Sequence, residues 1–185
     1  AAKMGPDFDI AVNLSAQMFS RADFAEKLAL LLIRHKVAPK NLTLEITESA
    51  AVQSEADMLS ALSALADLGV IVSIDDYGTG YSTLEYLRKI QAQELKIDRS
   101  FVATMDRNRS DRLLVSATIK LAHSLGHSVV AEGVETKDTF DMLRRMGCDK
   151  AQGYYIARPV GQADFITYME NAASQAVIEG LIAYD

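Results

Sequence analysis

Short apolar runs alternate along the chain with longer stretches whose apolar positions recur every three or four residues. The short runs are Asp9–Leu14, Leu42–Ile46, Val70–Ile74, Glu94–Ile97, Ser128–Ala131 and Lys150–Tyr154. Most do not alternate strictly between apolar and polar residues, which predicts parallel strands covered on both faces. The stretches between them predict amphipathic helices. Ser20, with Asp23 three residues on, opens one, and Phe24, Leu28, Leu31 and Leu32 form its apolar stripe before Pro39. Ser54 opens the next, with Met58, Leu62, Leu65 and Ala66 on one face and Gly69 placed to end it. Ser82 and Glu85 have capping-box spacing for a short helix carrying Leu84 and Leu87. Further helices are predicted over Ser110–Leu125, from Thr136 to Gly147, and from Ala163 onward, with Phe165, Met169 and Ala172 on one side of the last.

Six consecutive strand–helix units predict a parallel α/β fold. An open doubly wound sheet and a TIM-like (β/α) barrel both satisfy that pattern. A complete barrel usually takes roughly 250 residues and eight strands, so about two units would be missing from this one.

The polar residues at the strand ends separate the two. Asn13 ends the first strand, Glu45 and Glu48 the second, Asp75 and Asp76 the third. Lys96 ends the fourth, Glu132 and Glu135 the fifth, and Gln152 the sixth. An open sheet strings such ends along a crevice, whereas a barrel gathers them at one mouth, where sites of that fold are built. The expected fold is therefore an incomplete TIM-like barrel whose N-terminal part is missing.

Taken singly, each residue has a plainer role. An Asp after a strand is usually a turn residue or a cap. Glu48 and Glu135 suit the first turn of a helix, and Lys96 suits a structural ion pair. Six strands behaving alike weaken these explanations. Like charges crowded at one mouth repel each other, and a bound cation removes the problem. The donors are Asn13, Glu45, Asp75, Asp76 and Glu132, all oxygen, which suits Mg²⁺, Mn²⁺ or Ca²⁺ rather than zinc. Five donors suggest two ions, an arrangement that recurs in phosphodiester hydrolysis. Lys96 adds a fixed positive charge.

Composition fits a soluble globular domain of 185 residues, with 49% apolar and 24% charged residues. The net charge of -6 argues against a DNA or RNA partner. Cys148 is the sole cysteine, which excludes an internal disulfide, and it is expected to be a packing residue. No run approaches the roughly 18 apolar residues of a membrane span. The chain begins with Ala1, as a processed or excised segment would. Gly78-Thr79-Gly80 lacks the third glycine of a dinucleotide fingerprint, because Thr83 stands there, and is expected to form a mobile or tightly turned loop. His35, His123 and His127 fall in or beside helices, away from the strand ends, and are not expected to bind metal.

With these residues assembled, the chain resembles the EAL-type cyclic-di-GMP phosphodiesterases of bacteria. The matching stretches are "VNLSAQMF", "LEITES", "IDDYGTGYSTLEYL", "LKIDRSFV", "VVAEGVET" and "GCDKAQGYYIARP", in family order over nearly the whole chain. The resemblance implies one EAL-type domain over residues 1–185 that opens cyclic-di-GMP to linear pGpG with Mg²⁺ or Mn²⁺. Position by position, it implies a metal site of Asn13, Glu45, Asp75, Asp76 and Glu132. Lys96 and Gln152 match the lysine and glutamine beside the attacking water, and Glu48 matches the glutamate that holds the loop after the aspartate pair. Glu135, Arg158 and Pro159 match residues of the nucleotide pocket, although Gly161 stands where a second proline often follows. The resemblance further implies a homodimer, sensor or GGDEF-type domains upstream, and a cytoplasmic location, with any membrane tether lying outside this chain.

One departure stands out: the Glu-Ala-Leu signature itself occurs nowhere in the sequence. The expectation is a chain truncated at its N-terminus, with weak or absent catalysis by the 185 residues alone. Two other functions stay open at this point. One is a non-catalytic receptor for cyclic-di-GMP, and the other is an inactive piece serving dimerisation.

Overall fold

A computed structural model of the protein describes residues 8–15, 18, 21, 23–47, 55–78, 87 and 91–179. Its elements are β1 (Ile10–Asn13), α1 (Phe24–His35), β2 (Leu42–Thr47), α2 (Glu55–Leu68), β3 (Ile71–Tyr77) and β4 (Glu94–Ile97). They continue with α3 (Arg99–Val102), α4 (Arg109–Ser124), β5 (Ser128–Ala131), α5 (Lys137–Met146), β6 (Lys150–Ala151) and α6 (Gln162–Glu179). The six strands form one sheet in sequence order, every neighbouring pair parallel. A doubly wound sheet reverses its strand order at a switch point. This one never does, and it curls into a half-barrel, as the strand ends predicted.

The two faces of the sheet differ in chemistry because side chains alternate along each strand. Leu42, Leu44 and Ile46 of β2, Val72 and Ile74 of β3, Leu95 and Ile97 of β4, and Val129 and Ala131 of β5 point outward and are buried beneath the helices. On β4, Glu94 and Lys96 point inward; they share with Thr43, Glu45, Val130, Lys150 and Gln152 a cavity of about 530 Å³ inside the half-barrel. The helix-facing side supplies the apolar core. The inner side carries the charged residues Glu45, Glu94, Lys96 and Lys150 among apolar ones such as Ala11, Val130 and Phe165.

Helix ends follow their caps. The Thr136 hydroxyl accepts from Thr139 N at 3.2 Å, and Gly147 closes α5 in the left-handed conformation at φ 79°. Helix α4 starts one residue earlier than expected, because the Asn108 side chain caps it by accepting from Ser110 N at 2.9 Å. Helix α1 begins at Phe24, with Asp23 engaged by Arg21 and Lys27. Its buried face centres on Ala25, Leu28 and Leu32, which leaves Leu31 half exposed on the flank rather than in the stripe. The expected starts at Ser20 and Ser54 and the helix at Ser82–Glu85 lie outside the described residues, as does the side chain of Ala172.

Two strands end elsewhere than the apolar pattern suggested. Strand β6 stops at Ala151 instead of Tyr154. Gly153 passes so close to the Val134 backbone that a β-carbon on it would lie 2.2 Å from the carbonyl oxygen, and the chain then turns, with Ile156 N donating to Gly153 O. Strand β3 runs on through the aspartate pair to Tyr77 instead of stopping at Ile74. No helix among the described residues is long and apolar enough to cross a membrane.

Candidate metal and nucleotide site

Adjacent residues of a regular strand point to opposite faces, so Asp75 and Asp76 would ordinarily be kept apart. Here the pairing of β3 with β4 shifts register between Ile74 and Tyr77. Asp76 takes a left-handed backbone at φ 57°, a conformation that Asp tolerates better than most residues. Its N–H donates to Asp75 Oδ1 at 3.0 Å, which locks the turn. The bulge turns both carboxylates to the same place, a common use of such irregularities beside functional sites. One oxygen each from Asp75, Asp76 and Glu132 lies within 4.8 Å of the others.

Lys96 stands among these acids. Its ammonium lies 2.9 Å from Glu45 Oε1, 3.1 Å from Asp75 Oδ1 and 2.6 Å from Glu132 Oε1, with only 4% of the side chain exposed. Burial opposes the charged ammonium, but hydrogen bonds to Glu132 and Glu45 and the field of Asp75 outweigh it and hold the lysine above its usual range. Among the described residues Lys96 is the cation paired with Glu45, Asp75 and Glu132. Burial, ahead of Asp75 and Glu45, pushes the Glu132 carboxyl up against the pull of Lys96. Burial, then the charges of Asp75 and Asp98, pushes Asp76 up as well. Burial is the largest cause of both shifts, and the neighbouring carboxylates add to it. The all-oxygen donor set of the site fits a hard divalent cation.

The remaining expected residues fall around this cluster. Asn13 ends β1 directly across from Glu45 in the strand register. Gln152 N donates to Ala131 O at 2.8 Å, and the side chain borders both the interior cavity and a second hollow of about 180 Å³. Glu132, Glu135, Arg99, Gly133 and Tyr154 also line that hollow. Arg158 lays its guanidinium 4.5 Å from the centre of the Tyr154 ring, and Pro159 follows it at the surface. Glu48, Thr79 and Gly80 lie outside the described residues.

The histidines keep clear of the cluster. His123 pairs with Asp149 at 2.7 Å, and His127 Nδ1 meets Ala92 O at 2.8 Å. Cys148 packs beneath the sheet, where burial pushes its thiol up to about 11.

Arg99, Asp98 and Tyr154 were not singled out by the sequence. Asp98 caps α3 through Ser100 N at 2.9 Å while pressing on Asp76. Arg99 packs so tightly on Gly133 that a β-carbon there would lie 2.5 Å from its own. The signal for Asp98 and Arg99 was position alone: both directly follow the strand that delivers Lys96.

A half-barrel of parallel strands whose C-terminal ends gather a buried lysine and four carboxylates defines a protein with a candidate divalent-cation site at a barrel mouth. A family model described as "EAL domain" matches residues 1–159, and the chain belongs to that family. It is 44% identical over 154 residues to the bifunctional diguanylate cyclase/cyclic di-GMP phosphodiesterase MucR of Pseudomonas aeruginosa, covering 83% of this chain and 22% of MucR. The MucR phosphodiesterase in complex with c-di-GMP superimposes with a TM-score of 0.83 at 41% identity, over 89% of this chain and 66% of that one. The manganese/cy-diGMP complex of Klebsiella pneumoniae BlrP1 gives a TM-score of 0.74 at 28% identity, over 79% and 38% of the two chains.

Proposed function

We propose that residues 1–185 form part of one EAL-type domain whose activity is metal-dependent hydrolysis of cyclic di-GMP to linear pGpG. The observation that carries this is the convergence of Asp75, Asp76 and Glu132 oxygens within 4.8 Å beside a buried lysine. MucR and BlrP1, whose solved structures hold the dinucleotide, support the choice of substrate.

Asn13, Glu45, Asp75, Asp76 and Glu132 would hold Mg²⁺ or Mn²⁺, as two ions in our reading. Such ions supply Lewis acidity and an activated water at neutral pH. Lys96 keeps a permanent positive charge facing the phosphoryl oxygens as negative charge develops there. Gln152 orients the attacking water through its amide. Glu135, Arg99 and Tyr154 bind and orient the nucleotide in the 180 Å³ hollow, and Arg158 and Pro159 extend its wall. Hydrolysis adds water across one phosphodiester, the oxygen going to phosphorus and a proton to the departing ribose oxygen.

The same reading extends to the whole protein. It is a cytoplasmic homodimer with sensor or GGDEF-type domains elsewhere in its chain, as the two activities in MucR's name illustrate.

Cyclic di-GMP carries two negative charges into an acidic mouth, so it should bind only after a cation has reversed the local potential. In the protein as its gene encodes it, Mn²⁺ or Mg²⁺ is expected to give pGpG, resolved by chromatography. Excess EDTA should abolish product and weaken dinucleotide binding at least about tenfold, by loss of charge neutralisation. Binding of the dinucleotide with no cleavage under any divalent ion would replace this proposal with a receptor role.

A further inference from the structure

Below the metal cluster the inner face of the half-barrel carries a second pair of charges that the proposed chemistry leaves unused. Glu94 and Lys96 are two residues apart on β4, face the same side and line the same cavity. Same-face neighbours on a strand stand roughly 7 Å apart, within reach of two long side chains. The Glu94 side chain is 5% exposed, and its Oε2 receives Lys150 Nζ of β6 at 2.8 Å. Lys150 reaches it across β5, and among the described residues no other cation is paired with Glu94. Between Glu45 and Glu94 in the strand register sits Ser73, fully buried, its hydroxyl without a hydrogen-bond partner among the described residues.

A buried carboxylate without a partner takes the nearest cation. For Glu94, once Lys150 is removed, the cation on the same face of its own strand and in the same cavity is Lys96. The Lys96 ammonium sits on a flexible stem and is already contested by three acids above it. We infer that Lys150 is a positioning residue: by neutralising Glu94 it keeps the Lys96 ammonium at the mouth, beside Glu45, Asp75 and Glu132. This rests on the phosphodiesterase reading for its kinetic consequence and on the ion-pair geometry for its structural one.

The test compares Lys150→Met, Lys150→Arg, Glu94→Gln and the double variant Lys150→Met/Glu94→Gln in the protein as its gene encodes it. Lys150→Met is expected to lower kcat about tenfold or more, the usual effect of losing a group that holds a site residue in place. KM should change little. Mn²⁺ affinity by calorimetry should hold or tighten, because Lys96 competes with the cation for the same carboxylates. Lys150→Arg should retain activity, and the double variant should recover most of it. The NMR signal of the Lys96 side-chain methylene next to nitrogen, in metal-free protein, should shift in Lys150→Met and return in the double variant.

Wild-type kcat in Lys150→Met would overturn the inference. So would a loss that the double variant does not repair and that comes with weaker Mn²⁺ binding, since that is what a merely structural pair would give. Should the wild type cleave nothing, the phosphodiesterase reading fails, and the Lys96 signal still decides: an unmoved signal sinks the positioning role and a moved one upholds it.

Discussion

Asp75→Asn is expected to lower cyclic di-GMP hydrolysis by a factor on the order of 10³ while leaving the protein folded. The substitution separates two jobs done by one side chain. Asp75 Oδ1 accepts the Asp76 N–H that locks the left-handed turn, and an asparagine oxygen in the same place can still accept it. The charge that faces Lys96 and helps to hold a cation is lost. Removing one of four crowded carboxylates also relieves repulsion, so the metal-free variant should melt no lower than the wild type. Loss of activity with an unchanged or raised Tm, and with weakened Mn²⁺ binding by calorimetry, is the expected pattern. Near-wild-type turnover would remove Asp75 from the reaction.

Lys96→Met should show the reverse balance between stability and metal. Its ammonium is the one buried cation paired with Glu45, Asp75 and Glu132 among the described residues. Taking one partner from a buried charge cluster costs about 3–5 kcal/mol. For a chain of this size that is roughly 10 °C or more in Tm, measured without metal. Because the folded-state pKa of Lys96 is raised, its stabilisation is fully present below the unfolded lysine value of about 10.4 and fades only as pH rises through the folded one. The wild-type advantage should therefore persist across the neutral range and shrink in acid, where the carboxylates themselves become protonated. Added Mn²⁺ should return much of the lost Tm, since it replaces the missing charge, yet hydrolysis should stay low. A variant as stable as the wild type in EDTA would mean that the lysine is not what holds the acids together.

The sequence revealed the architecture through its strand ends. Asn13, Glu45, Asp75, Asp76, Lys96, Glu132 and Gln152 could be read as one ring because a parallel barrel leaves no other common meeting place for them. The inner face was harder to see. Glu94 and Lys150 each stood only at the start of a predicted strand, and only the curl of the sheet brings β6 across to β4. The bulge at Asp75 and Asp76 was also hidden. It depends on Asp76 adopting a positive φ, and nothing in an apolar pattern announces that. Beyond β6, Gln152, Gly153 and Tyr154 read as a continuation of the strand. The contact of Gly153 with Val134 that ends it is a tertiary event. Leu31 failed as a core residue for a similar reason: the helix periodicity allowed it, and the rotation of α1 on the sheet left it outside.

The central claim is that the acids at this barrel mouth bind the divalent cation that makes phosphodiester cleavage possible. Anomalous diffraction from crystals grown with Mn²⁺ tests it most directly. The expected result is a peak among the carboxylate oxygens of Asp75, Asp76 and Glu132 that is absent in Asp75→Asn crystals. Saturating Mn²⁺ with no peak there, and Lys96 still bonded to all three of its acids, would contradict it.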